Sequence, residues 1–90
     1  MDRAEFETAL RRDGYEVVAR EMAAGTVNPD HTHDFDARVL VLSGALTMGR
    51  PDGRHTYRAG DWCEVPAGLL HSETAGPEGV SYVAGRRKPA

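Results

Sequence analysis

The chain has 90 residues, a formal net charge of −3 at neutral pH and a single cysteine. This length suits one small domain with a thin core, which often needs a metal or a partner subunit for support, and one cysteine excludes an intrachain disulfide. The acidic balance argues against a nucleic-acid partner, and no apolar run approaches the ~20 residues that a membrane span requires, so we expect neither nucleic-acid nor membrane binding.

The N-terminal segment predicts one short helix over residues 2–13. Asp2 and Glu5 have the spacing of a capping box at its start. Phe6 and Leu10 are four residues apart and form one apolar face, which we expect to cover an edge of the main body. Because the charged N-terminus lacks the apolar core of a signal peptide, we expect a cytoplasmic protein.

Residues 15–85 consist of short β-compatible stretches separated by turn signals. The apolar run Val39–Leu42 is typical of a strand buried on both faces. Turn signals rich in glycine, proline, asparagine and aspartate are expected at 28–30, 43–44, 51–53, 59–61, 66–68 and 76–79. Short strands at this spacing predict an all-β sandwich or barrel. The last strand is expected over 80–84 and a solvated tail over 86–90, so that a single domain covers 1–90.

Three of the four histidines occupy informative positions. His31 and His33 are two residues apart, so in an extended chain their side chains share one face. His71 lies in a distant strand-like segment that a barrel can bring opposite this pair. Imidazole suits zinc, copper, iron and nickel, so three convergent rings would make a metal site. On spacing alone, ordinary polar surface residues are the alternative interpretation.

Two spaced motifs in the sequence resemble those of the cupin superfamily. The first runs from Gly25 through His31-Thr32-His33 to Gly44, and the second from Gly60 through Pro66-Ala67-Gly68 to His71. The resemblance implies a double-stranded β-helix, or jelly-roll barrel, preceded here by the short helix. It also implies that His31, His33 and His71 bind a divalent metal (iron, zinc, nickel, manganese or copper) inside the barrel, beside a small-molecule ligand.

The sequence departs from the cupin pattern where a glutamate usually supplies a further metal ligand. Those positions hold Ala37 and Arg38. Asp36 is our candidate for a fourth ligand, with a turn-forming role or an open, water-filled position as the alternatives. Arg38 and Glu73 are candidates for binding the small molecule, and a solvated surface position is the alternative for each.

These observations predict a small metal-binding cupin of unknown substrate. One hypothesis is a metal-dependent enzyme of the dioxygenase or isomerase type that acts on a small molecule. The alternative is a non-catalytic module that binds or senses a small molecule, and a third is a barrel whose histidines are remnants. Because the apolar side chains of Val39–Leu42 must be buried on both faces of the strand, we expect a homodimer that buries one of these faces. The N-terminal helix is the alternative cover for the same surface.

Overall fold

The computed structural model describes residues 1–89. Its elements are α1 (Arg3–Arg12), β1 (Glu16–Met22), β2 (Val27–His31), β3 (Asp36–Arg50), β4 (Gly53–Arg58), β5 (Trp62–Val65) and β6 (His71–Arg87). The short N-terminal helix is confirmed, and its start is fixed by the Asp2 carboxylate, which accepts a hydrogen bond from the Glu5 amide at 2.9 Å. Within residues 1–89, no helix has the length and apolar character needed to cross a membrane.

The six strands form one antiparallel sheet that folds into two facing layers. The two longest strands, β3 and β6, run through both layers and connect them. In one layer the order is β1, the second half of β6, the first half of β3, and β5. In the other it is β2, the first half of β6, the second half of β3, and β4. This architecture confirms the predicted all-β jelly-roll barrel.

Both long strands bend at glycine. Gly44 in β3 and Gly79 in β6 have φ values of +74° and +77°, and a Cβ on Gly44 would lie 2.0 Å from the Gly79 carbonyl oxygen. The sequence predicts an interruption at 43–44 and a turn at 76–79, whereas the strands continue through both segments. Glycine lets an extended chain change direction at a bulge while it stays in the ladder. The predicted turn at 28–30 likewise lies inside β2.

Two apolar clusters occupy the two faces of β3. The barrel interior contains the buried residues Val39, Val41, Leu46, Met48, Cys63, Val65, Ala75, Val80 and Ala84. On the outer face, the α1 residues Phe6 and Leu10 pack with Leu40 of β3 and Val83 of β6. The helix therefore covers the second face of the Val39–Leu42 run at Leu40, as the alternative interpretation proposed. The homodimer stays a prediction.

The C-terminal strand is longer than the sequence indicated. We expected the last strand to end at Ala84 and a tail to span 86–90, but β6 runs to Arg87. Its last residues pair with the first strand and with the start of β3. The Arg87 guanidinium also lies over the Tyr15 ring, 4.4 Å from its centroid, and donates to the Asp13 carbonyl oxygen at 2.6 Å. Strand pairing thus orders a basic segment whose composition suggested a solvated end.

Candidate metal centre

Strand pairing brings the three predicted histidines together. His31, at the end of β2, is the ladder partner of His71, at the start of β6, and His33 follows two residues later. The ring centroids are 4.3 Å apart for His31 and His71, 4.8 Å for His31 and His33, and 5.1 Å for His33 and His71. One ring nitrogen from each residue can be chosen so that all three lie within 4.8 Å of one another.

Backbone carbonyls fix the orientation of two of these rings. Nδ1 of His31 lies 2.7 Å from the Pro29 carbonyl oxygen, and Nδ1 of His71 lies 2.9 Å from that of Leu69. A carbonyl oxygen only accepts, so Nδ1 carries the proton in each neutral ring and donates it. The lone pair of Nε2 is then free, and both rings are in the tautomer that metal binding at Nε2 requires.

The turn before His71 is anchored to the segment that carries His33. The Gly68 amide donates to the His33 carbonyl oxygen at 2.9 Å, and the Ala67 amide donates to Oδ1 of Asp36, also at 2.9 Å. The carboxylate of Asp36, our candidate for a fourth ligand, is therefore engaged by the backbone. Its position matches the turn-forming alternative.

The donor set fits a divalent metal. Metal–nitrogen bonds of about 2.0–2.1 Å place neighbouring nitrogen ligands about 3–3.5 Å apart, so small ring movements suffice to bring these nitrogens onto one ion. Burial, followed by the nearby His31 and His71 rings, lowers the pKa of His33. These effects favour the neutral ring, which is the form that binds metal. Three histidines also leave coordination positions open.

Glu73 lies beside the histidines, on the same face of β6 as His71. Its Oε1 atom is 3.6 Å from Nε2 of His31, and its side chain is only 14% exposed. The Asn28 side-chain amide donates to the same oxygen at 3.3 Å. Of the two residues that the sequence suggested for ligand binding, Glu73 is the one that the structure places at the cluster.

Arg38 lies on the other side of the sheet. It lies two residues before Leu40 on β3, so the two side chains share a face of the strand. Because Leu40 faces α1, the guanidinium of Arg38 also points toward the helix. There it donates to Asp13 at 2.9 Å and lies 4.6 Å from the centre of the Tyr15 ring. His55, the fourth histidine, is on β4 and contacts Asp52 at 3.2 Å, away from the cluster.

A cavity of about 480 Å³ opens beside the three histidines. Its apolar wall consists of Phe35, Ala37, Val39, Val65 and Ala84. Its polar lining includes four residues that sequence analysis missed, namely Arg20, Asn28, Tyr82 and Arg86. The sequence of β1 indicated the inward position of one of them. Side chains two residues apart in a strand share a face, and Arg20 shares its face with Val18 and Met22, which pack against the core.

An antiparallel jelly-roll barrel with a cluster of histidines at an internal cavity is the architecture of the cupin superfamily. More narrowly, a family model described as the ChrR cupin-like domain matches residues 8–89, and the chain belongs to that family. None of the curated proteins matches the sequence.

Solved structures show the same fold. A protein of unknown function from Rhizobium leguminosarum bv. viciae superposes with a TM-score of 0.79 at 18% identity, over 86% of this chain and 73% of that one. A cupin-2 domain protein from Shewanella frigidimarina gives 0.68 at 24% identity, over 81% and 71%. An oxalate oxidase gives 0.71 at 25% identity, over 83% of this chain and 42% of its own.

Proposed function

We propose that this chain is a metal-binding cupin that holds a divalent ion on His31, His33 and His71 and takes a small molecule in the adjacent cavity. The observation that carries the proposal is the convergence of three rings, two of which have a free Nε2. The presence of an oxalate oxidase among the similar structures supports chemistry on a small molecule.

A bound divalent metal would polarise an oxygen of the small molecule or lower the pKa of bound water and, as iron, would activate dioxygen. The chain itself supplies orientation. The Pro29 and Leu69 carbonyls hold the rings of His31 and His71, and the apolar wall of the cavity would contact the small molecule.

We propose Glu73 as the fourth ligand, in place of the glutamate that cupins usually carry at the position of Ala37. The 3.6 Å between Oε1 of Glu73 and Nε2 of His31 is close to the spacing of two ligands on one ion, about 3–3.5 Å. Asn28 holds the same carboxylate in place. Asp36 is the matched alternative, and its carboxylate is occupied by the Ala67 amide.

The test is metal analysis of protein purified without a histidine tag from metal-supplemented cultures. We expect a stoichiometric divalent metal in the wild type and its loss in His31→Ala, His33→Ala and His71→Ala. His55→Ala is the matched control, because this histidine lies away from the cluster, and it should retain the metal. A metal-free wild type, or a His71→Ala variant with full metal content, would exclude the proposal.

The fourth ligand is tested by chelator competition on the same proteins. Glu73→Gln keeps the shape of the side chain but removes its charge, so we expect metal affinity to fall about 10- to 100-fold, as for other changes beside a metal. Asp36→Asn should leave metal affinity close to the wild-type value. Equal affinities for Glu73→Gln and the wild type would contradict the role of Glu73 without affecting that of the histidines.

A non-catalytic binding or sensory module is the second candidate. This chain spans only 42% of the oxalate oxidase it resembles, so the activity of that whole protein does not transfer to it. Such a module would use the same cavity without turnover. Product formation by the metal-loaded protein supports the enzyme, and ligand-dependent thermal stabilisation without product supports the module.

A further inference from the structure

Two arginines line the cavity from the layer that contains β1 and the second half of β6. Arg20 of β1 is the ladder partner of Tyr82 on β6, and Tyr82 lines the same cavity. Arg86 lies four residues further along β6, on the face shared by Tyr82 and Ala84. Neighbouring strands thus present two guanidinium groups on one concave surface.

Neither guanidinium has a carboxylate partner in the described part of the chain. Within residues 1–89, no acidic oxygen lies within 4.0 Å of Arg20 or Arg86. Arg20 donates only to the carbonyl oxygen of Ala19, at 3.1 Å, and Arg86 lies over the Phe35 ring at 5.4 Å. Both groups therefore retain donors for a ligand.

The two acids that line the cavity belong to the other layer. Asp30 is on β2, and Glu73 is on the first half of β6, next to His31. The acids thus lie in the layer that contains β2 and both arginines in the layer that contains β1, where Arg86 lies over Phe35, whose ring stacks on His33. An anionic group on a ligand would be repelled by the acids and attracted by the arginines.

We propose that Arg20 and Arg86 bind a carboxylate of the small molecule, which is therefore an organic acid. Guanidinium groups match a carboxylate with paired, charge-assisted hydrogen bonds. The apolar wall, which includes Phe35 and Val39, suits the carbon skeleton of such a molecule better than an inorganic anion. This inference rests on the proposed function of the cavity, and it adds the chemical class of the ligand.

The test is calorimetric titration with a series of unbranched mono- and dicarboxylates at neutral pH, together with the corresponding amides. We expect at least one acid to bind the wild-type protein. The amide of that acid should bind at least about tenfold more weakly, because the charged hydrogen bonds are lost. Arg20→Gln and Arg86→Gln should each weaken the binding of this acid by about tenfold or more. Arg54→Gln is the matched control, because Arg54 is exposed on β4 outside this cavity.

Metal content and melting temperature are measured for every variant, so that a folding or metal-binding defect is recognised. The titrations are then repeated after chelation. Arginine-dependent binding of an acid by the metal-free protein supports this inference even where the metal proposal fails. The inference is overturned if no acid binds, if the amides bind as tightly, or if the variants of Arg20 and Arg86 behave like Arg54→Gln.

Discussion

At the scale of single residues, two histidines of the cluster are held in the same way. His31 and His71 each donate from Nδ1 to the carbonyl oxygen two positions earlier in the chain. The contact is local, so the orientation of each ring depends on its own segment of the chain. The long-range pairing of His31 with His71 brings the two oriented rings together.

Cys63 is a buried cysteine whose surroundings disfavour the reactive thiolate. It is 8% exposed, and burial raises the pKa of its thiol. Because the thiolate is the reactive form, we predict that iodoacetamide modifies the native protein at pH 8 much more slowly than it modifies the urea-unfolded chain. Mass spectrometry of quenched samples measures both rates. Similar rates in the native and unfolded protein would show that the side chain is accessible.

The sequence predicted residues of the site where spacing carries the information. His31, His33 and His71 were found because glycine and proline recur at fixed distances from them. Arg20 and Arg86 were missed because their place in the cavity depends on which strands pair and in which register. Glu73 was found only as a neighbour of His71, since its approach to His31 is a contact across the ladder.

At the scale of elements, the bends of β3 and β6 depend on two glycines in close contact. We predict that Gly44→Ala lowers the free energy of unfolding by more than about 3 kcal/mol, because a Cβ would meet the Gly79 carbonyl oxygen at 2.0 Å. Gly25→Ala is the control, since Gly25 has a similar φ of +71° and nothing within 4 Å. It should cost only about 1 kcal/mol.

Urea denaturation of the two glycine variants measures both values. Equal losses would show that the positive φ alone, and not the approach of the two strands, sets the requirement at Gly44.

The helix α1 forms a second element whose contribution can be isolated. Leu10 is 1% exposed and lies against Gly85, where a Cβ would come within 2.5 Å of its side chain. We predict that Leu10→Ala destabilises the protein by about 2–4 kcal/mol, through lost burial and the cavity that remains. Thr8→Ala, on the exposed face of the same helix, should change stability by less than about 0.5 kcal/mol.

Thermal and urea unfolding of these two helix variants gives the comparison. If the two variants were equally stable, α1 would not be docked on β3 and β6 in solution.

Element boundaries were predicted less well than element types, and the glycines explain why. A glycine at a strand bend and a glycine in a turn produce the same sequence signal. The segments 43–44 and 76–79 therefore indicated breaks, although the ladder continues through each. Only the opposite strand, by keeping its pairing, shows that the chain bends without turning back.

At the scale of the whole molecule, the proposed metal joins β2, β6 and the segment after β2. A ligand that binds only the folded state stabilises it, by about 2.7 kcal/mol when its concentration is 100-fold above Kd. For a domain of this size we predict a rise in melting temperature on the order of 10 °C with Zn²⁺ in that excess, reversed by chelation.

Differential scanning fluorimetry measures this shift, and His71→Ala should show none. A melting temperature that does not respond to added metal or chelator in the wild type would contradict the prediction.

The continuity of β6 has one more consequence. His71 begins this strand and Arg86 lies one residue before its end, so the two residues belong to one continuous stretch of backbone. Inserting one residue before Val80 would reverse the inward alternation beyond it and turn Tyr82 and Arg86 outward. The length of the bend at 76–79 thus determines whether Tyr82 and Arg86 face the cavity.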